Sequence, residues 1–188
     1  VRILDKDIVS AKPFIKIQLN DENLAKPLSD TSLFELYIAK PSNISNLQRI
    51  YVDGSTLKFV AADIAAGKNI AYLEYRPELN EDGMHKLVVK AKDASNNTAG
   101  KANQYDVNFT VYNKSTITNV LNYPNPFSTS TAFIFTLTGS EIPSQFKIQI
   151  LSVTGKVVRE ITKNEIGPIH IGRNITEYKW DGKDQYGQ

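Results

Sequence analysis

Along this chain the apolar side chains recur at every second position. In residues 13–19, Ile15, Ile17 and Leu19 share one face while Lys16 and Gln18 take the other. Residues 33–38 repeat the pattern with Phe34, Leu36 and Ile38 inward. Ala71, Leu73 and Tyr75 alternate with Tyr72 and Glu74, and His85, Leu87, Val89 and Ala91 oppose Lys86, Lys90 and Lys92. Tyr105, Val107, Phe109 and Val111 oppose Asp106, Asn108 and Thr110. Successive side chains leave a strand on opposite sides, so a period of two with one wet face predicts strands of an antiparallel sheet. The one helix candidate, 61–66, is short and has turn formers for neighbours.

This first series predicts a β-sandwich over residues 1–113 that ends near Tyr112. Asn113, Lys114, Ser115 and Thr116 are polar and lack alternation, which places a linker there. A second series over 114–188 has Phe133, Phe135 and Leu137 inward in 131–138, then Phe146, Ile148 and Ile150 on the next strand. Thr154 and Gly155 turn that strand into 156–161. Residues 163–172 read as a loop carrying Gly167 and Pro168, and 175–180 as a further strand. Between linker and second core lies Tyr123-Pro124-Asn125-Pro126-Phe127. Two prolines around one residue remove two ladder donors and are expected to hold the backbone extended at an edge or between sheets. The expectation is all-β: two tandem antiparallel sandwiches. After the turn at Trp180-Asp181-Gly182 the second core is expected to need one more strand, so the chain reads as a fragment with that sandwich unfinished.

Composition narrows the function classes. The 188 residues suffice for two small domains, each with its own core. The net charge is +2 with acids and bases interspersed, and no basic stripe points to nucleic acid. No stretch approaches the apolar length of a membrane span, and no cleavable signal opens the sequence. The absence of cysteine removes disulfides, thiolate metal sites and a cysteine nucleophile from these residues.

Candidate chemistry is sparse. His85 falls on the apolar face and reads as a packed histidine, and His170 sits in a loop without a carboxylate cluster beside it. No Gly-x-Ser-x-Gly turn presents a nucleophile, so no catalytic residue and no cofactor is assigned. Asp93, Ser95 and Asn97 have the alternate spacing of a thin calcium loop, and Asp181 with Asp184 is thinner still. Calcium takes about six to eight oxygens, and Asx-type turns account for both loops. Asn43, Asn96, Asn108, Asn113 and Asn174 each head an Asn-x-Ser/Thr triplet, a pattern that asparagine-rich composition produces by chance. Tyr37, Tyr51 and Tyr72 fall outside the inward alternation and are candidates for a sugar platform, while Trp180 reads as core or edge cover.

Four segments occur in an order that resembles a known family. They are Tyr123-Pro124-Asn125-Pro126-Phe127, the Phe-rich strand after it, Ile150-Leu151-Ser152-Val153-Thr154-Gly155-Lys156-Val157-Val158, and Trp180-Asp181-Gly182-Lys183-Asp184. They resemble the Ig-like fold of the flagellar-hook-capping type near the C-termini of proteins exported by the type IX secretion system of Gram-negative Bacteroidetes. Members of that family usually continue with a Gly-x-Tyr strand after the Asp-Gly turn. In the first half, the stretch from Glu81-Asp82-Gly83 to Asn96-Asn97 resembles the penultimate strand and hairpin of bacterial Ig-like repeats. His85 there takes a usually aromatic position, and Asn96 stands where glycine is common.

The combination resembles the tail of large surface proteins, including gingipain-type cysteine peptidases. The resemblance implies a non-catalytic accessory stalk, lying between a functional body and the sorting signal on the outer-membrane surface or outside the cell. It implies as partners the upstream domains of the same protein, and secretion machinery or a surface partner meeting a sheet edge. The alternative is a carbohydrate- or protein-binding adhesin module.

Overall fold

The alternating segments fold as strands whose buried positions follow the period of two. In chain order the first half holds β1 (Asp7–Val9), β2 (Ile15–Asp21), β3 (Phe34–Lys40), β4 (Asn43–Ile50), β5 (Leu57–Val60), β6 (Asn69–Tyr75), β7 (Gly83–Ala91) and β8 (Tyr105–Val111). The structure is a computed structural model that describes residues 3–184, 186 and 187, so Gln185 and Gln188 of the C-terminal turn region lie outside the described residues. The chain divides into two compact units, one ending at Asn113 and the other beginning at Lys114.

The first unit is a two-sheet sandwich. One sheet has the order β1-β8-β7-β3-β4 and the other β2-β6-β5. All neighbours are antiparallel except β1, which runs parallel to β8 with Ile8 opposite Thr110. Leu36, Leu87 and Phe109 from one sheet meet Leu73, Ala71 and Leu57 from the other in a single buried cluster. Full burial of a side chain such as Phe109 contributes about 1.5–3 kcal/mol. Tyr105, expected inward, is 47% exposed because it begins β8 at the sheet margin. The expected helix at 61–66 is a single 3-10 turn over Ile64–Ala66, opened by Asp63, whose carboxylate accepts the Ala65 N–H. Gly67 closes it at φ 70°, a left-handed conformation that glycine adopts without a Cβ clash.

The second unit adds β9 (Ile117–Tyr123), β10 (Ala132–Leu137), β11 (Lys147–Leu151), β12 (Val157–Thr162), α1 (Lys163–Ile166) and β13 (Gly172–Ile175). Its sheets are β13-β10-β9 and the β11–β12 hairpin. Phe135 of β10, Ile161 of β12 and Ile166 of α1 form the buried centre, with Phe133, Phe146, Ile148 and Ile150 packed around it. As the central strand, β10 is buried on both faces, and Ala132, Ile134 and Leu137 are all under 9% exposed.

Two expectations for this unit are corrected. Strand β9 starts at Ile117, directly after the polar stretch 113–116; its side chains are mostly exposed, so no inward alternation announced it. The expected loop at 163–172 contains the helical turn α1, and the expected strand at 175–180 is shifted back to β13. Beyond β13 the Thr176 and Glu177 N–H groups donate to the Phe133 and Ile166 carbonyls at 2.9 Å each, and an isolated bridge joins Thr131 to Trp180. Among the described residues no helix is long and apolar enough to cross a membrane, which says nothing of β-barrels.

Candidate functional site at the proline bend and the Trp-Asp-Gly turn

The motif residues at the two ends of the second unit meet in space. β9 ends at Tyr123, and Pro124, Asn125 and Pro126 form a bend. This bend corrects the extended course expected of the prolines; the Tyr123–Pro124 and Asn125–Pro126 bonds are both cis. Thr131 secures the bend. It is 1% exposed, its hydroxyl donates to the Pro124 carbonyl at 2.8 Å, and its backbone exchanges two 2.8 Å bonds with Trp180. The Trp180 ring covers Phe127 at a centroid distance of 5.9 Å and an angle of 52°. Its indole N–H donates to the Lys183 carbonyl at 2.7 Å.

The turn that carries Trp180 is an Asx turn. Asp181 Oδ1 accepts the Lys183 N–H at 3.1 Å, and Asp184 Oδ1 repeats the device with Tyr186 N–H at 2.9 Å. Gly182 sits at φ 90°, and a Cβ there would meet the Phe127 ring at an ordinary 3.8 Å. The glycine is therefore required by the backbone conformation and not by space. Gly155 lies apart, at the tip of the β11–β12 hairpin with φ 81°; its N–H donates to the Ser152 carbonyl at 2.9 Å. Tyr123 and the bend present outward, with Tyr123 at 65% exposure. This assembly is a structural clasp with an exposed tyrosine beside it, and it gathers no group of nucleophile, acid and base.

The remaining candidates resolve into local structure. Asp93 Oδ1 accepts from Ser95 N–H and Asn97 N–H at 2.7 and 2.8 Å, and Oδ2 accepts from the Asn97 amide at 2.6 Å. The hydroxyl of Ser95 takes a bond from Lys26 Nζ at 3.2 Å. The Asp93 carboxylate thus closes the turn through two backbone N–H groups and the Asn97 side chain, and its pKa is lowered first by the Asn97 amide. His85 is buried, lies flat on Phe109 at 5.7 Å and has Nδ1 3.2 Å from the Gly83 carbonyl. His170 donates its backbone N–H to Asn174 Oδ1. Asn174 itself is 4% exposed and bonds back to the carbonyls of His170 and Gly172, which removes it as a glycan acceptor.

The three tyrosines do not share a platform. Tyr37 belongs to β3, beside Arg49 on β4, whereas Tyr72 belongs to β6 in the other sheet. Each ring has a cation over it: Lys90 at 5.4 Å from Tyr37, Arg49 at 5.2 Å from Tyr51 and Lys16 at 3.8 Å from Tyr72. Sequence reasoning missed the buried polar residues that complete the clasp and the core, Thr131, Thr136, Thr176 and Asn69. Thr131 precedes β10, Thr136 is inside it, Thr176 follows β13 and Asn69 opens β6, so no shared sequence pattern marks them.

No protein-family model matches this chain, and no curated protein matches it. Among solved structures, it is similar to part of the dimeric latent PorU from Porphyromonas gingivalis at 19% identity and a TM-score of 0.37. The match covers 98% of this chain and 16% of that chain, so this chain spans a small part of that protein's length.

Proposed function

We propose that this chain is a non-catalytic accessory stalk of a larger exported bacterial surface protein, close to a type IX sorting signal. The observation that carries the reading is the clasp. Tyr123-Pro124-Asn125-Pro126-Phe127 and Trp180-Asp181-Gly182, the segments that resemble the family's tail domain, meet through the Phe127–Trp180 contact and the Thr131 bonds. Two β units with separate cores suit a spacer between a functional body and a surface. The stalk's recognition role lies at a sheet edge, where backbone groups meet a partner strand.

In-frame deletion of these residues from the parent gene tests the reading. The body's activity in lysate is expected to persist per molecule, while the protease-accessible fraction on intact cells falls. Loss of lysate activity at an unchanged protein level would place function inside this chain and reject the proposal.

A further inference from the structure

Among the described residues strand β2 has one strand neighbour, β6, and no strand pairs with its other edge. Its pairing runs from Ile15↔Tyr75 to Asp21↔Asn69 without a register shift. Other edges in the chain are blunted. The β3–β4 pairing shifts between Ile38 and Lys40, β5 is four residues long, and β9 shifts against β10 and carries Asn119 at φ 51°. Bulges, short strands, prolines and edge lysines discourage strand addition; β2 has none of the first three within its length and carries one lysine, Lys16.

Beside this open edge lies a cleft of about 710 Å³. Ile15, Ile17 and Leu19 of β2 line one side, and Leu87, Val89 and Val107 of the facing sheet line the other. Phe14 and Tyr105 also line it and are 54% and 47% exposed, so apolar surface reaches the mouth. The edge and the cleft share the stretch from Ile15 to Leu19, about 17 Å at roughly 3.3 Å per residue. Apolar positions along it repeat every second residue. A compact ligand would use the cleft and leave the edge unsatisfied, whereas an extended chain uses both.

We infer that β2 binds an extended peptide of about five residues with apolar side chains at alternate positions. The apolar side chains enter the cleft, and the main chain adds to the β2 edge. The intervening positions face solvent beside Lys16, whose ammonium stands over Tyr72. Glu74, the cross-strand neighbour of Lys16 in β6, is engaged by Arg76 at 3.4 Å. An acidic residue at the outward position of the peptide therefore supplies the charge complement on the open side. The proposal rests on the sheet-edge part of the stalk reading. The spacing role needs no peptide, so failure here leaves the deletion experiment and its outcome untouched.

Two peptides of identical composition provide the test, one alternating valine with aspartate and threonine, the other with its valines consecutive. Each is titrated into the full chain while amide exchange is followed by residue. The alternating peptide is expected to slow exchange within residues 15–19 by about tenfold or more. Lys16→Glu, an exposed change, is expected to weaken it about three- to tenfold at low salt with an unchanged circular dichroism spectrum. Equal protection by the reordered peptide, protection elsewhere, or an unaltered affinity in Lys16→Glu would overturn the proposal. Self-association that protects 15–19 without peptide would also overturn it, by making a second copy the occupant.

Discussion

His85 is 1% exposed, stacked on Phe109 and joined through Nδ1 to the Gly83 carbonyl. Burial lowers its pKa from the ordinary 6.5, opposed by the Gly83 bond and by Glu81, with Lys40 adding to the fall. The unfolded chain therefore binds a proton that the folded chain resists. The stability contributed by neutral His85 is complete above the unfolded value and is lost as pH falls through the folded one. His85→Phe keeps a ring on Phe109 and removes the titration. Chemical denaturation is expected to show wild type losing stability as pH drops below about 6.5, with the variant flat until the carboxylates protonate. Parallel curves would show that this histidine does not govern the slope.

Asn96 makes a second case, because it occupies φ 66° in the turn closed by Asp93. Asn96→Gly is expected to be nearly neutral, while Asn96→Val costs about 1–2 kcal/mol in urea unfolding. The sequence showed asparagine where a glycine is common, and the reason is this left-handed backbone. It gave no such notice of Thr131 or Asn69. Asn69 takes the Leu28 N–H and donates to the carbonyls of Asn23 and Lys26, bonds to chain segments far from it in sequence. Alternation reports which face is wet, and a polar side chain spent on distant backbone leaves no trace in it.

Elements were legible where one face is buried. β2, β3, β6, β7 and β8 each pair an apolar inner row with a polar outer one. β4 and β9 were not legible, since their side chains are largely exposed and pairing with β3 and β10 alone defines them. The helical turn α1 escaped for another reason: four residues are too few for a 3.6-residue period. What holds it is its cap. The Glu165 carboxylate accepts from the Thr162 N–H at 2.8 Å and the Thr162 hydroxyl at 2.9 Å, and Arg159 bonds its other oxygen at 2.8 Å. Those contacts hold the Glu165 pKa below its ordinary value, led by the Thr162 N–H. Glu165→Ala is expected to lower stability by about 1 kcal/mol in denaturant titration, and Glu165→Gln by less, since an amide oxygen still accepts. Equal losses in the two variants would mean that the charge, acting on Arg159, matters more than the cap.

At the scale of the whole molecule, the two cores differ in reserve. The first draws its buried residues from both sheets, from Val9 to Val111, while the second has Phe135, Ile161 and Ile166 at its centre. A smaller domain buries a smaller fraction of its surface and keeps less margin against chain entropy. The second unit also leaves Val120, Tyr123, Val153 and Ile175 at 60% exposure or more. Because the units hold separate cores, each is expected to unfold as its own cooperative transition, the second at the lower temperature. Calorimetry of the full chain should resolve two transitions, and residues 1–113 alone should reproduce the upper one within about 4 °C, the shift expected from under 1 kcal/mol. A single transition that vanishes on cutting the chain after Asn113 would mean that neither core suffices, and the chain would then be one folding unit.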